Sequence, residues 1–266
     1  MANRKLATSF MGLTVAFATQ EATNFPKESI VDRSSPQRHW RSTSTAVDIQ
    51  IVVDMLTAQT SITTYLDWCN FETVRYLEGA SASGPWTTLG SDKTVQKDPM
   101  HGVYRRGDNL TLTNKRYLNI TIPSGQTTTD GAPYYRIGTF CIPAGVVELD
   151  ADTTVEYPYD VTLPASHIVE NRFPTGKTEK IKLGQLQPMV ISFALRTSVH
   201  QNIKGAQVTE IADLLRDPTQ TVFIDFNLGE SWQAYLVKKS GDLRASLSSP
   251  AVSTADFGSV LFDVVT

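Results

Sequence analysis

Apolar and polar residues alternate along most of this chain with a period of two, and β-branched or aromatic residues fill the apolar positions. That pattern predicts half-buried strands. In the first part it marks Thr14–Ala18, Val47–Val53, Ser61–Trp68, Val74–Glu78, a short strand around Trp86–Leu89, Leu110–Thr113, Tyr117–Ile122 and Tyr134–Ile142. In the second it marks Lys180–Leu183, Pro188–Thr197, Gln233–Lys239 and Gly258–Val265. Short strands separated by Gly and Pro turns read as a sandwich or barrel. The period changes over Ala206–Arg216, where Val208, Ile211, Ala212 and Leu215 fall at helical spacing, and Asp217-Pro218 ends the run. A buried strand over Thr221–Asn227 follows, with Val222, Ile224 and Phe226 facing one way.

The expected fold is therefore mostly β, with two β-sandwich or jelly-roll domains, the C-terminal one carrying a single α-helix packed on its sheet. Residues 1–45 read as an N-terminal strand and arm, 46–149 as the first sandwich, and 150–266 as the second sandwich with its helix. Prolines across 151–180 suit edge strands and loops better than central strands. The run Leu6–Ala18 is too diluted by Thr, Ser and Gly for a cleaved leader, and is expected to form a strand. No stretch reaches the ~20 apolar residues of a membrane span.

Charge and composition narrow the partners. A net charge of -3 and a pI near 5.8 give no footprint for nucleic acid. Cys69 and Cys141 are the only cysteines, either two buried thiols or one bridge, and no CxxC motif exists. No catalytic motif, cofactor fingerprint or metal-ligand spacing is found, so no enzyme is expected. Gly176-Lys177-Thr178 lacks the earlier glycine of a phosphate loop, because Asn171 stands there. Arg106-Gly107-Asp108 reads as a turn. The turn-rich segment Ser34–Thr45 carries Arg38, Trp40 and Arg41, which with Trp232 are candidate interface residues. Trp40 could equally pack within its own domain.

Two resemblances add to this. Leu66–Leu89, with Val74, Tyr76 and Glu78 in one strand and Gly84-Pro85-Trp86-Thr87-Thr88-Leu89 after it, resembles the middle of a discoidin (F5/8 type C) jelly roll. The resemblance implies sugar or lipid-headgroup binding through loops at one end. In that frame Trp86 is expected to plug the sheet core and Ser83-Gly84-Pro85 to make a hairpin turn. The order Leu195–Ser198, then Ile211–Pro218, Val222–Phe226, Tyr235–Leu243 and Phe262–Val265 resembles the sandwich-plus-helix unit of tailed-phage distal tail and baseplate hub proteins. That second resemblance implies a structural virion protein in a phage tail, assembled in the host cytoplasm. It would form a homo-oligomeric ring and dock tail or baseplate neighbours. The rival expectation is a carbohydrate-binding receptor-recognition module whose partner is a host-surface glycan.

Overall fold

The computed structural model describes residues 5–33, 39–99, 103–148, 154–155, 168–172, 178–182, 188–192, 195–196, 221–225, 231, 233–240, 246–249, 252–256 and 259–264. Contacts divide the chain into two units. The first is residues 1–149 with 221–236 and Val265; the second is residues 150–220 with 237–264 and Thr266.

In the first unit, strands expected to be separate are continuous. Val47–Val53 and Ser61–Trp68 are the two ends of one 21-residue strand, Ile49–Cys69. Leu110–Thr113 and Tyr117–Ile122 lie in a 19-residue strand, Tyr104–Ile122. The two pair antiparallel from Tyr104 against Cys69 to Ile122 against Ile49, with register shifts on both sides of Lys115. Their middles are exposed and polar, as turns are. Leu56 and Asn114 instead take positive φ (64° and 59°) within the strands, and extra residues let paired strands bend without parting. Side chains hold the irregularity in place. The buried Glu78 carboxylate accepts from Thr113 N (2.7 Å) and Oγ1 (2.6 Å). Asp54 accepts from Arg116 Nε and Nη2, each at 2.7 Å, and from Leu56 N at 2.8 Å.

Around this pair the sheet runs Thr139–Cys141, Ile49–Cys69, Tyr104–Ile122, Thr73–Gly79 and Thr87–Thr88, with Thr14–Ala18 also paired to the first long strand. Ile51, Val53, Leu66, Leu118 and Ile120 bury their alternate positions with Trp40, Phe71, Tyr76 and Phe140 in one core. The unit is a β-sandwich of jelly-roll type. The N-terminal residues form part of it, because Trp40–Arg41 pairs with Arg136–Ile137. Lys5–Ala7 lies between Val147–Glu148 and Thr221–Asp225. In that last strand Val222, Phe223 and Ile224 are all buried, so apolar contacts cover both of its faces. Phe223 meets the Tyr65 ring edge-on at 5.7 Å. The helix expected over Val208–Leu215 lies outside the described residues.

The second unit is described as strand pairs. Ile168–Arg172 pairs with Thr178–Lys182, and Pro188–Ser192 with Ser259–Val264, which also pairs with Val237–Ser240. Ser246–Ser249 pairs with Val252–Asp256, and Thr154–Val155 with Leu195–Arg196.

A buried ion cluster joins three parts of the first unit. Arg105 Nε lies 3.4 Å from Asp67 Oδ1 and Nη2 3.6 Å from Asp98 Oδ2, with all three side chains at most 1% exposed. The guanidinium carbon sits 4.6 Å from the Tyr235 ring centroid. Tyr65 donates its hydroxyl to Asp67 Oδ2 at 2.9 Å, and Trp68 N donates to Oδ1 at 2.8 Å. Burial pushes the Asp67 carboxyl above the usual range, while Arg105 and these donors pull it back. Burial also works against the Arg105 charge, but Asp67, Tyr65 and Asp98 outweigh it and hold the guanidinium protonated. Removing one member of a buried pair leaves an uncompensated charge. Arg105→Ala is expected to lower stability by about 3–5 kcal/mol in urea unfolding; a loss within about 0.5 kcal/mol, as at an ordinary surface position, would show that the cluster does not hold the unit.

Candidate functional site

The sequence-selected residues separate in the structure. Trp40 is fully buried in the core, so it takes the packing reading and is no surface anchor. Its neighbour Arg41 points to the opposite side of the same short strand and is half-exposed. Arg38 and Trp232 lie outside the described residues. Trp86 does not plug the core. It is half-exposed and lies on Gly79, where an added Cβ would come within 2.7 Å of the indole ring. Gly84, at φ +86°, makes the turn beside it. Arg106-Gly107-Asp108 is not a presented turn either. It lies inside the second long strand, and Asp108 binds Arg106 through two bonds of 2.5 and 2.6 Å. Cys69 and Cys141 are free and buried, and burial raises both thiols above their usual range. Among the described residues no cluster of His, Cys, Asp or Glu could hold a metal ion, and no helix is long and apolar enough to cross a membrane.

Arg41 is the centre of a surface cluster. Its guanidinium carbon lies 4.0 Å from the Phe25 ring centroid and 4.7 Å from that of Tyr134. Its Nε donates to His39 Nε2 at 2.6 Å, so that imidazole nitrogen is the acceptor and carries no proton. The His39 ring stacks on Phe25 at 5.3 Å, with the planes 24° apart. All four side chains are half-exposed. Cation–π contact holds the guanidinium over both rings, and its Nη groups make no hydrogen bond among the described residues.

Buried groups fix the backbone beneath each member. Ser42 N donates to Tyr135 O (2.9 Å) and Tyr135 N to Ser42 Oγ (2.8 Å), which locks the Arg41 and Tyr134 segments together. Ala22 N donates to Arg41 O at 3.0 Å and Phe25 N to Ala22 O at 2.9 Å, bringing the third segment in. Asn70, fully buried, donates Nδ2 to Tyr134 O (2.9 Å) and Asp130 Oδ1 (3.1 Å), and its Oδ1 accepts from Arg136 N at 2.7 Å. Asp130 pairs with Arg136 at 3.0 Å. Burial works to raise the Asp130 carboxyl, but the Asn70 amide, Ala132 N–H and Arg136 outweigh it and hold it below the usual range. Sequence patterning placed Arg41 at an interface but missed Phe25 and Tyr134. Phe25 sits in a Pro-adjacent loop, and Tyr134 lies in a stretch whose alternation predicts a strand, although the strand begins at Arg136.

No protein-family model matches the chain, and no curated protein does. Its fold is similar to that of several solved structures. The C-terminal domain of a chitobiase from Bacteroides fragilis is 16% identical over 54% of this chain and 99% of its own, with a TM-score of 0.41. A putative chitobiase fragment from Bacteroides thetaiotaomicron is 16% identical over 49% and 87%, with a TM-score of 0.40. The family 32 carbohydrate-binding module of NanJ from Clostridium perfringens, solved with galactose, is 15% identical over 52% and 98%, with a TM-score of 0.38. At these identities and scores the likeness carries no argument about ligand.

The lowered Asp130 carboxyl makes the site acid-sensitive. A carboxyl held below its unfolded value of about 3.9 adds stability above that pH, and the stability is lost as pH falls through the folded value. Asp130→Asn is expected to reduce the fall in urea midpoint between neutral pH and about pH 3; an acid limb identical to wild type would show that Asp130 is not held in its ionised form.

Proposed function

We propose that the first unit is a carbohydrate-recognition module that binds a glycan on the Phe25, His39, Arg41 and Tyr134 platform, without a reaction of its own. The observation that supports this most is the convergence of three half-exposed rings and an arginine on a backbone pinned by buried polar groups. A sugar has a C–H face and a rim of hydroxyls. Aromatic rings with a polar tip suit the first, and a few fixed donors suit the second. Arg41 offers its Nη donors and Tyr134 its hydroxyl. Because the platform is already assembled, little ordering is required when a ligand arrives.

No observation supports a ring in a phage tail: the helix of that element order lies outside the described residues, and nothing on the first unit favours a ring.

Binding of the purified chain to an immobilised glycan array tests the proposal. At least one glycan is expected to bind, and Arg41→Ala and Tyr134→Ala are each expected to weaken that binding about tenfold or more, about 1.4 kcal/mol, with the unfolding midpoint near wild type. A wild-type chain that binds no glycan, or folded variants that bind as wild type does, would overturn it.

A further inference from the structure

A second concave surface lies on the first unit, apart from the platform residues. It is an open cleft of about 490 Å³, within the ~300–1,000 Å³ range of small-ligand sites. Its floor is the outward face of the two long strands. Thr63 stands opposite Asn109 and Ser61 opposite Thr111, with Gln59 next along the first strand. Their neighbours Ile62, Leu110 and Leu112 turn inward and are buried, so the alternation fixes which side chains face the cleft. The outward side chains of the floor are hydroxyls and amides with no acid among the described residues, and the buried Ile62 and Leu110 between them also border the cleft.

The polar groups are partly committed in a way that leaves donors outward. Asn109 Oδ1 accepts from Thr63 Oγ1 (2.9 Å) and from Lys5 Nζ (3.2 Å). The same amide oxygen therefore receives two bonds, which fixes the amide orientation and aims its Nδ2 hydrogens away from both donors. The Ser61 and Thr111 hydroxyls have no partner among the described residues. The facing wall is different in kind. Met11, Ile142, Pro143 and Ala144 make it apolar, and Met11 N donates to Ile142 O at 2.9 Å to keep it in place. Gly145, at φ +60°, turns the chain there so tightly that an added Cβ would come within 3.0 Å of Ser9 Oγ.

We infer that this cleft is a second binding site, for a neutral saccharide unit. The apolar wall would cover the C–H face of the ring, and the Ser61, Asn109 and Thr111 groups would meet its hydroxyls. Among the described residues Lys5 is the one charged side chain in the lining, and the outward groups of the floor are uncharged hydroxyls and amides, which suits a neutral sugar. The inference shares with the platform reading the class of ligand but not the site.

Amide-resolved NMR titration of the full chain with lactose, cellobiose and N,N′-diacetylchitobiose, each separately, tests it. At least one sugar is expected to produce saturable shifts at Ser61, Thr63, Asn109 and Thr111. Asn109→Leu and Thr111→Val, both at exposed positions, are each expected to weaken those shifts about tenfold, while resonances around Tyr134 respond as in wild type. The spectrum itself reports whether each variant is folded. Cleft resonances unmoved by all three sugars, or unaffected by the substitutions, would overturn the inference. Movement at Tyr134 with a silent cleft would sink this inference alone, while the platform reading stands or falls on the array and its Arg41 and Tyr134 variants.

Discussion

The antiparallel pairing of Ile49–Cys69 with Tyr104–Ile122 is the constraint on which the first unit depends. Both strands are long enough to serve more than one part of the sandwich. The first long strand takes Thr14–Ala18 along its N-terminal half and Thr139–Cys141 along its C-terminal half. The second takes Thr73–Gly79. The buried Arg105 lies near one end of this pairing, against Asp67 of the partner strand. A charge buried so completely persists only where its counter-charges are fixed. The pairing register therefore determines whether the cluster can exist, and the cluster in turn penalises any other register.

From the same frame follow the two concave or aromatic surfaces. Cys69 ends the first strand, and Asn70 begins the corner that holds Asp130, Tyr134 and Arg136 through one hydrogen bond each. The platform thus inherits its rigidity from the strand it follows, as binding loops on a rigid scaffold do. The cleft uses the strands themselves. Its floor is the polar half of the alternation whose apolar half fills the core, so one periodicity supplies both the stability and the surface.

Much of this was legible in the residues, and what was not has physical reasons. Strand positions such as Val74–Glu78 and Thr14–Ala18 follow from alternation, the β-rich sandwich-or-barrel class follows from their number and turns, and the jelly-roll type is what the resemblance of Leu66–Leu89 implies. The continuity of the long strands did not follow. Leu56–Thr60 and Thr113–Arg116 have turn-like composition, and only long-range partners, Glu78 and Arg116 on Asp54, keep them in the sheet. The grouping of Thr221–Asp225 with the first unit has a similar cause. Lys5–Ala7 and Thr221–Asp225 are paired although they are more than two hundred residues apart, and no local signal encodes such a pairing. Trp40 shows the limit for single residues. Trp40 and Arg41 look alike as interface candidates, but strand alternation sends the indole inward and leaves Arg41 half-exposed. Of the platform residues, Arg41 alone is among the interface candidates read from the sequence. Phe25 and Tyr134 reach the platform only through the fold.

The most direct measurement is a crystal structure of the chain grown with a glycan selected on the array. The account predicts a sugar ring packed on the half-exposed faces of Phe25 and Tyr134, with a hydroxyl within hydrogen-bond reach of an Arg41 Nη. A bound sugar that touches none of Phe25, His39, Arg41 and Tyr134 would contradict it.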